Sequence, residues 1–280
     1  MIPAFLQHRG LAATVRSLFG NGEVGAWYDP SDLATLFQNS AGTTPVTAVE
    51  QPVGLILDKS KGLVLGAELV APLDFATGWT ASGSAVTVNS ATSFTTTAVA
   101  NYYKPYFTVG KWYKLTATIT FTTPSLTLFN ATTAVNPIST SLTSGVAYTC
   151  YFLAGATQLN FRSGGAGTVT VDNISAKELP GQHSRQATSA ERPVLKATPT
   201  RIDYDAVDDT LVATFASSLG TDCTVCRAVP GVGASILTGQ TIGTTYTDST
   251  DHAGLIIVNR ALTAGETASV TTYLNLKAGV

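Results

Sequence analysis

Tyr102, Tyr103, Tyr106, Trp112 and Tyr113 fall within twelve residues, spaced around Pro105 and Gly110. An aromatic ring offers its face to the apolar C–H face of a sugar, while neighbouring amides and hydroxyls bond the sugar's edges. Asn101 and Lys104 are the residues here that can supply edge contacts. The set for this chemistry is therefore Asn101, Tyr102, Tyr103, Lys104, Tyr106 and Trp112. Against it stands the expectation that half of these rings fill a core or a subunit contact. Alternation along a strand sends Trp112 and Tyr113 to opposite faces.

Other reactive groups point to structure rather than catalysis. Cys223-Thr224-Val225-Cys226 lacks two further ligands at zinc geometry, and residues three apart on a strand diverge, so buried thiols are expected. Asp203, Asp205, Asp208 and Asp209 crowd one segment. They suit either calcium or, preferably, a β-turn whose carboxylates bond nearby amides. Asp172 beside Asn173 poses the same choice. Glycoside hydrolysis needs two convergent carboxylates, and Glu50, Glu68, Glu178, Glu191 and Glu266 stand in no acid/base setting. His8, His183 and His252 lack a nucleophile motif, and no glycine loop cradles phosphate. No catalytic residue, no metal and no cofactor is expected, and the chain reads as a non-enzyme.

The whole chain has 280 residues, enough for about two domains, with 12% charged residues against a usual ~25%. A formal charge of -2 offers no field for a phosphate backbone, which argues against nucleic acid. Threonine, about one residue in six, replaces the missing charge and signals strands. The positive mean hydropathy, +0.21, suggests surface covered by other subunits. The N-terminal residues carry no basic region ahead of an apolar one, and Gly62 to Leu73 is far shorter than the ~20 residues of a membrane span. No membrane insertion is expected, and the three cysteines suit synthesis in a reducing cytoplasm.

Leu11, Val15, Leu18 and Phe19 have helical spacing ahead of Gly20-Asn21-Gly22, so residues 1–22 read as an amphipathic helix or an attachment arm. Asp29 and Pro30 predict a capped helix through Phe37. From Leu63 to Leu179 the period becomes two, most clearly over Lys114–Phe121. Strands follow at 125–129, 148–153, 158–162 and 167–174, as in a sandwich of antiparallel sheets. After Pro180-Gly181 strands recur at 201–204, 210–215, 223–229, 235–238 and 255–259. A last helix opens on a capping box, Thr263 with Glu266, and has Ala268, Val270 and Leu274 on its inner face.

Three stretches carry family resemblances. Gly66-Ala67-Glu68-Leu69-Val70 through Phe75-Ala76-Thr77-Gly78-Trp79, closed by Val169-Thr170-Val171-Asp172-Asn173-Ile174-Ser175, resembles the carbohydrate-binding jelly rolls beside glycoside hydrolases, with Trp79 as a framework residue. Gly25-Ala26-Trp27-Tyr28-Asp29-Pro30-Ser31-Asp32-Leu33 resembles the opening of concanavalin-like (laminin-G-like) sandwiches in phage proteins. Arg192-Pro193-Val194-Leu195, Tyr204 to Asp209 and Val258 to Thr263 resemble later strands of the same sandwich. In such proteins Asp58-Lys59-Ser60 runs almost directly into Gln182-His183-Ser184. The resemblance implies an all-β protein of two sandwiches with short terminal helices. A jelly roll over 63–180 is inserted into a discontinuous sandwich of 23–62 and 181–280, behind the arm 1–22.

The segment from Asp29 to Lys61 is similar to phage tail-fibre and virion proteins. This implies a virion component assembled in host cytoplasm, at the tail as a receptor-binding fibre or tip. Its partners would be other virion subunits, host surface polysaccharide and further copies of itself, a trimer being favoured. The alternatives are a head-decoration or collar protein, and a polysaccharide depolymerase.

Overall fold

The computed structural model describes residues 4–82, 85–130, 138 and 141–280, with residues 4–9 as backbone alone. The first three residues of the expected arm and the His8 side chain lie outside the described residues. The chain opens with α1 (Ala4–Ser17), β1 (Gly25–Tyr28), β2 (Leu36–Phe37) and β3 (Leu55–Ile56). There follow β4 (Thr80–Ala81), β5 (Val86–Ser90), β6 (Ser93–Thr96), β7 (Ala100–Pro105), β8 (Trp112–Phe121), β9 (Leu126–Phe129), β10 (Ala147–Leu153), β11 (Gln158–Ser163) and β12 (Gly167–Glu178). The last stretch holds β13 (Ser184–Arg185), β14 (Val194–Lys196), β15 (Arg201–Asp203), β16 (Leu211–Thr214), β17 (Gly220–Val229), β18 (Gly233–Ile242), β19 (Thr245–Asp248), β20 (Leu255–Val258) and α2 (Ala264–Ala278). All named strand pairs are antiparallel, and the fold is all-β with short terminal helices.

Two compact units divide the chain: a split unit, 1–64 with 181–280, and an inserted unit, 65–180. In the inserted unit the sheets β10-β8-β12-β6-β5 and β4-β7-β11-β9 enclose one core. Tyr113, Leu115, Ala117 and Ile119 of β8 point into it, while Lys114, Thr116, Thr118 and Thr120 alternate outward, as period two requires. Phe75 sits among the rings of Trp79, Phe94, Tyr102 and Phe161 at centroid distances of 4.9 to 5.7 Å.

The split unit also pairs two sheets, β1-β20-β17-β18 and β19-β16-β13-β3-β2, about a core holding Tyr28, Ile56, Leu211, Phe215, Val225 and Ile257. Its first sheet is covered on the other side by both helices. There Val15, Leu18 and Phe19 of the α1 region meet Trp27, Ile256, Val258, Val270 and Leu274. Burial on both faces explains why β20 reads Leu-Ile-Ile-Val without alternation. It also shows that the expected arm is part of this unit from Val15 onward. Gly25 is required by close approach: a Cβ there would lie 1.9 Å from the Ile257 carbonyl oxygen.

Asp58 joins the two stretches of the split unit. Fully buried, its carboxylate accepts the amides of Trp27, Ser60 and Gln182, each at 2.8 Å, and its own amide donates to His183 Nδ1 at 2.9 Å. Burial pushes its pKa up despite these donors.

Two helical expectations need correction. Residues 29–37 form only a 3-10 turn, Leu33–Thr35, before β2. Asp29 does not cap a regular helix. It bonds Ser31 and is held by Lys59 and Lys277, while Leu36 and Phe37 pair with β3. Burial raises the Asp29 carboxyl, but Lys277 and Lys59 outweigh it and leave the pKa below the usual range. In α2 the capping box forms as expected, yet Ala268 is exposed and the buried face is Val270, Tyr273, Leu274 and Ala278. Ala268 stands two residues from Val270, on the far side of a 3.6-residue turn.

Candidate functional site

The sheet β4-β7-β11-β9 sends Tyr102, Leu126, Leu128, Leu159 and Phe161 into the core. Alternation places Asn101 and Tyr103 of β7, Gln158, Asn160 and Arg162 of β11, and Thr127 and Phe129 of β9 on the opposite face. Register groups them. Asn160 lies between Tyr103 and Phe129, and Arg162 between Asn101 and Thr127.

This face has an uncommon polar arrangement. Asn160 is 0% exposed, and neither its amide nitrogen nor its oxygen has a hydrogen-bond partner among the described residues. The Oδ1 of Asn101 and the Oε1 of Gln158 are also buried and unpartnered. Buried polar atoms in folded proteins are nearly always paired, and each uncompensated one costs about 1–3 kcal/mol. Asn160 and its cross-strand neighbour Phe129 are both fully buried, so the middle of this face is covered and a ligand can reach only its margin. Tyr103, half-buried, supplies a ring, and Arg162 an exposed guanidinium.

The six residues expected to bind sugar divide three ways. Asn101 and Tyr103 lie on this face. Lys104 and Tyr106 stand at the end of β7, where Lys104 Nζ bonds the Thr77 carbonyl at 3.0 Å and lies 5.5 Å from the Tyr106 ring centroid. Tyr106 packs on Trp79, and burial pushes its hydroxyl pKa up. Tyr102 and Trp112 are corrections. Tyr102 is a core residue, 5% exposed, with its hydroxyl donated to the Phe75 carbonyl at 2.7 Å. Trp112 belongs to β8, in the other sheet, and is 2% exposed. Neither can present a ring to a ligand. Sequence reasoning missed Gln158, Asn160 and Arg162. Their signal is polar alternation against Leu159 and Phe161, in a strand that the pattern did place.

The remaining candidates are structurally occupied. Asp205 Oδ1 accepts the amides of Val207, Asp208 and Asp209 at 2.9 to 3.2 Å, and Asp209 Oδ2 accepts the Asp205 amide. The carboxylates of Asp205, Asp208 and Asp209 lie within 4.8 Å of one another because this turn folds them together. The backbone donors hold Asp205 below its ordinary pKa, while burial and its acidic neighbours push Asp209 up. Asp203 pairs with Arg201, and Asp172, at a bulge in β12, accepts the Thr120 hydroxyl. Glu50, Glu178 and Glu266 pair with Lys196, Lys111 and Arg260, and Glu23 also meets Arg260. Glu68 accepts the Ala176 amide, and Glu191 the Gln186 side chain. His252 bonds Asp248.

Cys223 faces the core between the sheets and Cys226 the layer under the helices, so the two sulfurs diverge as strand periodicity requires. Burial pushes Cys150 and Cys226 up to about 12 and raises Cys223 as well. All three thiols are expected to resist a thiol reagent in the native protein and to react together on denaturation. One thiol titrating under native conditions would contradict their burial.

Comparison of the sequence with protein-family models and with curated proteins finds no match.

Proposed function

We propose that the chain is a non-enzymatic bacteriophage virion protein, carried at the tail as a fibre or tip component, which adheres to host surface glycan through the outer face of β4-β7-β11-β9. The observation that carries the glycan reading is the partly exposed Tyr103 ring on the same sheet face as the exposed Arg162 guanidinium, with the partly exposed Asn101 opposite Arg162. A sugar hydroxyl both donates and accepts, so it can satisfy an amide oxygen and an amide nitrogen at once. The virion reading is supported by the resemblance of the segments around 25–61 to phage proteins. Single sugar contacts are weak, and several copies in a homo-oligomer, a trimer being favoured, would convert them into firm adhesion. Other virion subunits would be the remaining partners. With a charge of -2 the chain offers nothing to nucleic acid, and no described helix is long and apolar enough to cross a membrane.

A glycan array compares the wild type with Tyr103→Ala and Arg162→Ala. Each variant is expected to lose about tenfold or more in binding, the worth of one or two hydrogen bonds or a stacked ring. Arg162 is exposed, so Arg162→Ala is expected to leave the melting temperature unchanged and lost binding cannot be lost folding. Undiminished binding by both variants, or no bound glycan at all, would overturn the reading and favour a purely architectural role such as head decoration.

A further inference from the structure

We infer that the split unit holds a second saccharide site, a cleft between β17, β18 and β19 that takes a single neutral sugar residue. It stands on observations separate from the sheet face above. The cleft measures about 200 Å³ and is lined by Val225, Arg227, Leu237, Gln240, Tyr246 and Thr247 among others. It lies where β18 ends one sheet and β19 ends the other. Sites that enclose a drug-sized ligand run to roughly 300–1,000 Å³, so this one accepts about one ring.

Its lining has what a polyol with an apolar C–H face needs. Arg227 has five N–H donors, yet its bonds to described residues run through Nη2 alone, to Asp248 Oδ1 at 2.5 Å and to the Tyr246 hydroxyl at 3.2 Å. Its Nε is buried without a partner among the described residues. The Tyr246 ring is half-buried, and Leu237, 48% exposed, adds an apolar edge. Thr241, Thr245 and Thr247 contribute exposed hydroxyls around the opening.

Charge decides between neutral and acidic sugars. The guanidinium is already matched by Asp248, which also receives His252 Nε2 and the Tyr204 hydroxyl, each at 3.0 Å. A bound carboxylate would sit close to Asp248 and be repelled, a cost of several kcal/mol for like charges. A neutral hydroxyl or ring oxygen can take the spare edge of Arg227 without that repulsion.

The test is nitrogen-15 NMR of the full chain with glucose, galactose, mannose and N-acetylglucosamine at millimolar concentration, and with glucuronic acid as the anionic arm. At least one neutral sugar is expected to shift the amides of Leu237, Gln240, Tyr246 and Thr247. Thr247→Trp fills the cleft from an exposed position and is expected to abolish the shifts. If that variant fails to fold, Leu237→Trp blocks the same space. Tyr103→Ala, which damages only the face on the inserted unit, is expected to leave them intact. The inference fails if no neutral sugar moves these amides, if glucuronic acid moves them more than glucose, or if the shifts survive the blocking variant. Shifts lost in Tyr103→Ala but kept in Thr247→Trp would also overturn the cleft while leaving the adhesion reading in place.

Discussion

Asp248→Ala is expected to destabilise the split unit by about 3–5 kcal/mol, because it leaves the Arg227 guanidinium, 14% exposed, without its counter-charge. The carboxylate is 4% exposed and takes hydrogen bonds from Arg227, His252 and Tyr204, so three groups lose a partner together. Burial alone would raise the Asp248 pKa, but its contacts with His252, Arg227 and the Tyr204 hydroxyl outweigh it and hold the group below the ordinary carboxylate value. The sign of the pH dependence follows. A depressed folded-state pKa stabilises the fold fully above the unfolded-state value, about 3.9, and that stability is lost as pH falls toward the folded-state pKa. Wild-type stability should therefore drop below about pH 4, with a shallower drop in the alanine variant. Denaturant titrations at pH 7 and pH 3 check both statements. A loss under ~1 kcal/mol at pH 7 would place the pair among exposed surface bridges instead.

Phe75→Ala is expected to cost the inserted unit a similar amount, about 3–5 kcal/mol, by opening a cavity at the centre of its ring cluster. Phe75 is 1% exposed and touches four other aromatic rings, and its carbonyl receives the Tyr102 hydroxyl. At about 4 °C per kcal/mol or more for a unit of this size, the melting transition should fall by over ~10 °C. Calorimetry reads it directly. An unchanged transition would mean that the rings do not form the core described.

The strands were the most legible part of the sequence, because threonine and apolar residues alternate wherever one face meets a core. β8 is the clearest case: Leu115, Ala117 and Ile119 point inward and Thr116, Thr118 and Thr120 outward. The capping box of α2 was equally plain, since its two bonds involve residues only three apart. What escaped was settled by distant partners. Asp29 and Pro30 look like a helix start, but two lysines, 30 and 248 positions away, take the carboxylate. The aromatic cluster pointed to β7, where Asn101 and Tyr103 do share the outer face, but could not separate Tyr103 from the core residue Tyr102. Ring type says nothing about which way a strand faces. The covered middle of the β11 face was equally invisible, because the burial of Asn160 and Phe129 is a fact of packing, not of composition.

The most direct measurement is a crystal structure of the protein with an oligosaccharide released from the host's surface polysaccharide. Sugar density over Tyr103, with hydroxyls at the Asn101 side chain and at Arg162, is the predicted result. A sugar bound only elsewhere on the inserted unit, or a face that stays bare at saturating ligand, would contradict the account.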